Sequence, residues 1–378
     1  MALIVPEHQN LLELLKASLF NSIPNLSDDV NWDKVFESAK AQCIVPLVFP
    51  FVTSMNISEW EDISCQSKAH YMRMLYEQDL LVKLFNKHSI PFIVFKGTAA
   101  AIYYPIPSLR TYGDIDFFVP VDFLYSARRM LEDNGYHYIS NNDRHYSYEK
   151  NGIEFELHNK ISSIHYNDID NIYIKGLENS VEYRLANCSF PGLPSIENGM
   201  VLLGHIIAHL KASGIGLRQI IDWMMFVHNE LDDTVWENHF KVLATEAGLE
   251  KLAITVTYMC KKWIGLPDDI TWCNGADEEV ADQLLIRILD DGNFGQDRAP
   301  TESIKKSMKE EGIFRYLQRV GIDNWPSAHK YKILRPFACL YQLCRFIGKG
   351  ISGLFTSRKI LMKGKKIMSI DELLKELE

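Results

Sequence analysis

Apolar side chains recur at helical spacing through the first part of the chain. Apolar positions three and four residues apart are typical of amphipathic helices. Here they are Leu11, Leu12, Leu14, Leu15, Leu19 and Phe20, then Trp32, Val35, Phe36 and Ala39. The segment 69–88 continues the pattern, so the sequence predicts an N-terminal helical region over residues 1–88.

The period changes after residue 88. The run PFIVFKG, residues 91–97, is continuously apolar and ends in glycine, which is typical of a short buried strand. The next residues, TAAAIYY, predict a helix with Thr98 at its N-terminal cap. Pro105 and Pro107 end that helix, because proline cannot continue one.

A second strand and a hairpin follow. DIDFFVP, residues 114–120, reads as a strand, and an amphipathic helix after it closes near Gly135. Residues 145–160 form two alternating arms joined by Asn-Gly, the strongest short hairpin signal. From about residue 195 the helical pattern returns. We therefore predict an α+β fold: a mixed-sheet core over residues 89–192, and a C-terminal helical region with a basic segment over residues 193–378.

Composition narrows the class of protein. The chain has 378 residues, enough for two or three domains, and 47% of them are apolar, as in ordinary soluble proteins. The net charge of −9 gives the whole chain no electrostatic case for binding nucleic acid. No run approaches the roughly 20 apolar residues of a membrane span, and the N-terminus lacks a secretory pattern. The seven scattered cysteines read as reduced thiols, so we expect a cytoplasmic protein.

Candidate chemistry starts at Asp114 and Asp116. Residues i and i+2 of a strand face the same side, about 6.5–7 Å apart. Two carboxylates held so close repel each other unless a cation lies between them. Mg²⁺ is the natural candidate, with Mn²⁺ as the alternative, since a Mg²⁺ ion takes one or two protein carboxylates and leaves positions for phosphate oxygens. The competing interpretation is a solvated strand end with two chance acids.

The hairpin supplies a third acid. Glu154, Glu156 and His158 share one face of its second arm, while Phe155 and Leu157 point into the core. A carboxylate on a neighbouring strand would complete a site for two metal ions, which can hold the attacking and leaving oxygens of a phosphoryl displacement. We favour Glu156 over Glu154 for this position. We expect His158 to be a hydrogen-bonding partner of the site rather than a ligand.

The glycine turn offers a phosphate site. A strand followed by Gly97, Thr98 and a helix start leaves backbone N–H groups free to bind phosphate oxygens. The GxxxxGK[ST] pattern of a P-loop is absent. Lys96 adjoins the turn and can face either side of the strand. The guanidinium of Arg110 can bind phosphate or hold the carboxylates in place.

Together these features resemble the DNA polymerase β-like nucleotidyltransferase superfamily, whose pattern is hG[S/T]…DhDh…h[DE]h. The segments VFKGTAAAIYYPIPSLRTYGDIDFFV, FELHNKI, GLRQIIDW and GNFG look more narrowly like an uncharacterised bacterial nucleotidyltransferase family. The resemblance implies that Gly97 and Thr98 hold the triphosphate of a nucleotide such as ATP. It implies that Asp114 and Asp116 bind the metal, and that Glu156 helps bind it and activates the acceptor hydroxyl. Threonine in place of the commoner serine and the long Gly97–Asp114 gap depart from the superfamily pattern.

Three further features carry open alternatives. His205 and His209 lie one helical turn apart, but HIIAH lacks the glutamate of a metalloprotease, so we expect core or capping roles. Arg218 and Asp222 either form a helix ion pair or recognise the second substrate. The third feature is the basic segment 330–366, which has no acidic residue. It is either the solvated rim of a packed helix or a contact for an anionic membrane surface, nucleic acid or a phosphorylated acceptor.

The sequence thus predicts a metal-dependent nucleotidyltransferase with an unidentified acceptor hydroxyl or phosphate. The alternatives are a non-catalytic nucleotide- or partner-binding module on the same fold, a terminal nucleotidyltransferase acting on RNA, and a toxin–antitoxin protein that modifies a partner. Nothing in the sequence indicates the acceptor, the base of the nucleotide or the oligomeric state.

Overall fold

The structure, a computed structural model, describes residues 4–54, 57–141, 145–159, 176–211, 214–293, 312–325, 332–344, 368 and 370–377. The chain divides into two units, Met1–Phe294 with Lys366–Glu378, and Gly295–Lys365. The described strands share one mixed sheet and helices surround them in the sequence, which confirms the predicted α+β class. The boundaries predicted at residues 88/89 and 192/193 stay predictions.

Helices precede the sheet, as predicted. They are α1 (Pro6–Phe20), α2 (Trp32–Ala41), α3 (Val45–Val48) and α4 (Ser58–Lys87). α1 has proline in its first turn, where a missing N–H costs nothing. Asn31 caps α2, since its side chain accepts a hydrogen bond from the Lys34 N–H at 3.1 Å. The predicted apolar stripes of α1 and α2 are buried except at Phe20 and Trp32, which are partly exposed.

The central sheet has seven strands in the order β3-β4-β5-β2-β1-β7-β6. They are β1 (Ile93–Phe95), β2 (Ile115–Phe118), β3 (His137–Asn141), β4 (His145–Lys150), β5 (Ile153–His158), β6 (Val181–Leu185) and β7 (Cys188–Gly192). The pairs β2–β5 and β1–β7 are parallel and the other neighbours are antiparallel. Helix α5 (Gly97–Ala101) follows β1, and α6 (Val121–Asp133) follows β2.

Strand alternation decides which side chains face the site. Phe117 is fully buried and packs edge-to-face on Phe85 of α4, with ring centroids 5.5 Å apart. Phe155 is likewise buried and packs on Tyr136, the residue before β3. Because neighbours along a strand point to opposite faces, Asp116 of β2 and the glutamates of β5 project from the other face of the sheet.

Helices return after the sheet. They are α7 (Ser195–Lys211), α8 (Leu217–Glu230), α9 (Lys241–Glu246), α10 (Glu250–Trp263), α11 (Glu278–Asp291) and, in the second unit, α12 (Ile313–Asn324). The last helix, α13 (Ile370–Leu377), belongs to the first unit and contacts α7, α10 and α11. Within the described ranges, no helix has both the length and the apolar character that crossing a bilayer requires.

The described residues of the second unit, 312–325 and 332–344, are mainly helical. Gln318 of α12 donates to the Arg335 carbonyl in a 3₁₀ helix, Lys332–Phe337, and accepts from the Cys339 N–H at 3.2 Å. Phe337 and Leu340 are 58% and 60% exposed. Only residues 332–344 of the predicted basic segment are described, so most of that segment lies outside the described residues.

Candidate active site

Three carboxylates meet on the site face of the sheet. The parallel pairing of β2 and β5 sets Asp116 directly opposite Glu156. Asp114 lies two residues before Asp116, at the mouth of β2. One carboxylate oxygen of each residue lies within 4.8 Å of the other two. An all-oxygen group of this size suits a hard divalent cation such as Mg²⁺.

The three-acid site is electrostatically uneven. Burial, followed by the charges of Asp116 and Glu156, raises the pKa of Asp114 to about 7. Burial would also raise the pKa of Asp116, but Lys96 and the hydrogen bond from His158 outweigh it and lower that pKa below its usual range. Asp116 is therefore ionised at neutral pH. Asp114 is the acid whose ionisation is opposed by burial and by its two acidic neighbours.

Lys96 faces the acids. Its ammonium donates to Asp116 Oδ1 at 2.9 Å. Burial lowers the pKa of Lys96, but the charge and hydrogen bond of Asp116 together with the charges of Glu156 and Asp114 outweigh it, and the net shift is upward. The backbone of Lys96 has φ of 54°, a left-handed conformation that costs a side-chain-bearing residue energy. This strained backbone places the Lys96 ammonium among the carboxylates. The sequence alone did not decide which side of the strand Lys96 faces.

The glycine turn comes close to the acids through its backbone. α5 begins at Gly97 with Lys96 as its N-cap, so the prediction of Thr98 as the cap is wrong by two residues. A β-carbon at Gly97 would lie 3.4 Å from the Asp114 carbonyl oxygen. The Thr98 hydroxyl is buried and donates to Gln78 Oε1 of α4 at 2.7 Å. The Thr98 side chain therefore anchors the turn to α4.

Arg110 and Asp222 form a buried bidentate pair. Arg110 donates from Nε to Asp222 Oδ1 at 2.8 Å and from Nη2 to Oδ2 at 2.7 Å. Tyr104 also donates to Asp222 Oδ1, at 2.7 Å. The pair joins the segment before β2 to α8. The Arg110 guanidinium, which the sequence suggested as a phosphate ligand, is therefore already bound to Asp222. Asp222 thus has Arg110 as its ion-pair partner, while Arg218 donates to the Thr111 carbonyl at 3.3 Å.

Two histidines adjoin the acids. His158 approaches Asp116 Oδ1 at 2.9 Å and Glu156 Oε2 at 3.2 Å through Nε2. This places it as the hydrogen-bonding partner that the sequence favoured. His145 Nε2 lies 3.3 Å from Glu156 Oε1. Sequence reasoning missed His145, although the Asn151-Gly152 turn fixes a register in which position 145 opposes position 158.

His205 and His209 are neighbours on α7, as their spacing predicts. Their Nε2 atoms lie 2.6 Å apart. Burial, followed by the charge of Lys96, holds the pKa of His205 well below its ordinary value. His205 is thus expected to be neutral. The charges of Lys96 and Asp116 both affect its pKa.

Comparison with known proteins gives one finding. A family model described as "Uncharacterised nucleotidyltransferase" matches residues 28–265, more than half of the chain. The matched span contains all seven strands, the three acids, Lys96 and both histidine pairs. No curated protein matches the chain.

Proposed function

This chain belongs to the uncharacterised nucleotidyltransferase family and is therefore a transferase with a nucleotide substrate, and from this premise we propose a specific reaction. An oxygen of the acceptor attacks the α-phosphorus of a nucleoside triphosphate. The bond from the α-phosphorus to the bridging oxygen breaks, the nucleoside monophosphate passes to the acceptor, and pyrophosphate leaves. The acceptor is a hydroxyl or phosphate of a molecule still to be identified.

The convergence of Asp114, Asp116 and Glu156 carries this proposal. One carboxylate oxygen of each lies within 4.8 Å of the other two, beside the interior strands β2 and β5, a spacing that suits a divalent ion. Mg²⁺ bound there would neutralise charge on the triphosphate, which is the main demand of phosphoryl transfer. Glu156 would accept the proton of the acceptor hydroxyl, because its side chain is more exposed than that of Asp116, at 17% against 5%, and two histidines approach it.

Lys96 and Gly97 would receive the phosphates. The ammonium of Lys96 already lies among the acids, where a triphosphate bound to the same ion would have to enter. The backbone at Gly97 passes beside Asp114 with no side chain in the way. The Arg110–Asp222 pair supports the site indirectly, since it fixes the segment that leads into β2.

The test is calorimetric titration of each of the four nucleoside triphosphates, with and without Mg²⁺. The proteins are the wild type, a D114N/D116N variant and E154Q. Glu154 lies on the same strand as Glu156 but outside the three-acid site, so E154Q is the matched control. We expect Mg²⁺-dependent binding of at least one nucleotide by the wild type and E154Q, and none by D114N/D116N when circular dichroism shows it folded. Failure of the wild type to bind any nucleotide would overturn the proposal in favour of a non-catalytic module.

A further inference from the structure

A second group of donor atoms lies beside the three acids. The antiparallel pairing of β4 and β5 sets His145 directly opposite His158, and Glu156 is two residues before His158 on the same face. One donor atom from each of these three residues lies within 4.8 Å of the other two. The group is rigidly based, because all three residues lie in paired strands.

We propose that His145, Glu156 and His158 form a second metal site that takes a borderline transition ion of the Zn²⁺ or Co²⁺ class. Two imidazoles and one carboxylate are a donor set that transition ions prefer. Mg²⁺ prefers oxygen ligands and keeps its waters, so it belongs in the neighbouring three-acid site. The two sites differ in chemistry although they share Glu156.

Two of the donor spacings are compatible with a single ion held between the Glu156 carboxylate and an imidazole. Bonds of about 2.0–2.2 Å at angles between octahedral and tetrahedral put neighbouring ligand atoms roughly 2.8–3.6 Å apart. His145 Nε2 and Glu156 Oε1 are 3.3 Å apart, and His158 Nε2 and Glu156 Oε2 are 3.2 Å apart. Three protein ligands leave further coordination positions open, as in catalytic rather than structural sites.

The surroundings of His158 indicate an exchangeable ion. An ion at Nε2 displaces the proton that now serves Asp116 and Glu156, and the ring then carries its proton on Nδ1. Among the described residues, the buried Nδ1 has no hydrogen-bond partner. Metal-binding histidines normally donate from the second nitrogen, and loss of such a partner weakens binding. We therefore expect the ion to bind less tightly than at a site where each histidine donates to a second partner.

We rest this second site on the proposed function of the first, because the two share Glu156. Two ions held by one bridging carboxylate are a recognised arrangement for phosphoryl displacement. His145 belongs only to the second site, and Asp114 only to the first. The two residues therefore allow each site to be removed while the other stays complete.

The experiment is titration of Co²⁺ into the full chain in excess Mg²⁺, followed by the visible absorption of cobalt bound to nitrogen ligands. The proteins are the wild type, H145Q, D114N and H137Q, whose histidine is exposed on β3 and is the matched control. We expect saturable binding of one Co²⁺ by the wild type, H137Q and D114N. H145Q should bind at least about tenfold more weakly, as expected from losing even an indirect ligand contact.

Each outcome decides between the sites. Absence of a saturable cobalt spectrum in the wild type, or equal affinity in H145Q, would overturn the second site. Cobalt binding that depends on His145, in a protein that binds no nucleotide, would sink the proposed function and leave the second site standing. Mg²⁺-dependent nucleotide binding by both wild type and H145Q, without the cobalt spectrum, would support the proposed function and overturn the second site.

Discussion

At Asp114, the requirements of the site oppose those of stability. Burial and two neighbouring acids raise its pKa from 3.8 to about 7, so the folded protein binds a proton there more tightly than the unfolded chain does. The resulting stabilisation is complete below pH 3.8 and is lost as the pH rises through about 7. Without metal, the ionised carboxylate is therefore a burden at pH 8.

We predict that D114N unfolds less readily than the wild type in EDTA at pH 8. The gain is on the order of 2–4 kcal/mol, since each pKa unit corresponds to about 1.4 kcal/mol. The two proteins should have equal stability at pH 3, where Asp114 is protonated in both states. Urea denaturation at the two pH values measures this, and a less stable D114N at pH 8 would contradict it.

Glu156 and Glu154 can be separated by a single matched comparison. Glu156 lies opposite Asp116 and within the three-acid site, whereas Glu154 pairs with Glu149 of β4. We expect E156Q to weaken Mg²⁺-dependent nucleotide binding at least about tenfold and E154Q to leave it within twofold, because loss of one ligating charge is felt directly. Calorimetry measures both, and the opposite ranking would make Glu154 the third acid.

The sequence predicts the three acids because their positions depend on local periodicity. Strand alternation aligns Asp114 with Asp116, and the Asn-Gly turn orients Glu156. The direction of Lys96 follows from a left-handed backbone that no local pattern indicates. The partner of Arg110 lies 112 residues away, so the pair appears only in the folded chain.

At the scale of elements, the Arg110–Asp222 pair ties the approach to β2 onto α8. Both side chains are nearly inaccessible, at 5% and 6% exposure. Removing one partner of a buried ion pair leaves the other charge uncompensated. We predict that R110M destabilises the protein by about 3–5 kcal/mol, while R110M/D222L loses clearly less.

A surface pair gives the control for this prediction. Lys241 and Glu237 are one helical turn apart, 3.0 Å from each other and largely exposed. Exposed pairs contribute about 0–1 kcal/mol, so K241M should change stability little. Chemical denaturation of the four proteins measures the free energies, and equal losses in R110M and K241M would refute a structural role for the buried pair.

The C-terminal end of α11 carries an unfavourable charge. Burial and the charge of Asp291 raise the pKa of Asp290 to about 6, while Asp291 itself pairs with Arg287 at 2.8 Å. An acid also opposes the helix dipole at this end. Because the pKa is raised on folding, this group stabilises the protein at low pH and the benefit disappears as the pH rises through about 6.

We therefore predict that D290N is more stable than the wild type at pH 7.5, by about 1–2 kcal/mol after allowance for partial exposure. The advantage should vanish at pH 3.5. D291N is the contrast, since it removes the ion pair with Arg287 and should destabilise. Thermal unfolding of the three proteins at both pH values decides, and a D290N that melts below the wild type at pH 7.5 would contradict the argument.

The local sequence pattern predicts only some of the strands. β1, β2, β4 and β5 have buried positions in runs or alternation and are predicted from the sequence. β3 is almost wholly exposed and shows no apolar alternation, whereas β6 alternates Val181, Tyr183 and Leu185 with polar residues but buries only Leu185. These two strands form the edges of the sheet and depend on pairing with a neighbour. The sheet order likewise depends on contacts distant in sequence.

Residues near the C-terminus pack within the first unit. Helix α13 returns to it after the second unit, and the Met368 N–H donates to Gln283 Oε1 of α11 at 3.1 Å. Leu373 and Leu377 are each 1% exposed, and their helix contacts α7, α10 and α11. α7 also carries His205, so the chain end supports a helix that faces the active site.

We predict that L373A destabilises the first unit by about 2–4 kcal/mol, the usual loss for a buried leucine truncated to alanine. L343A is the matched control, because Leu343 is 42% exposed in the second unit and its truncation should cost well under 1 kcal/mol. Urea denaturation followed by tryptophan fluorescence measures both, since Trp223 is buried in α8 against Phe226. If L373A unfolds like the wild type, α13 does not hold the first unit together, and a protein truncated before α13 should then keep its nucleotide affinity. If L373A loses stability as expected, the same truncation should lose nucleotide binding together with the fold, because α7 would no longer be held beside the sheet.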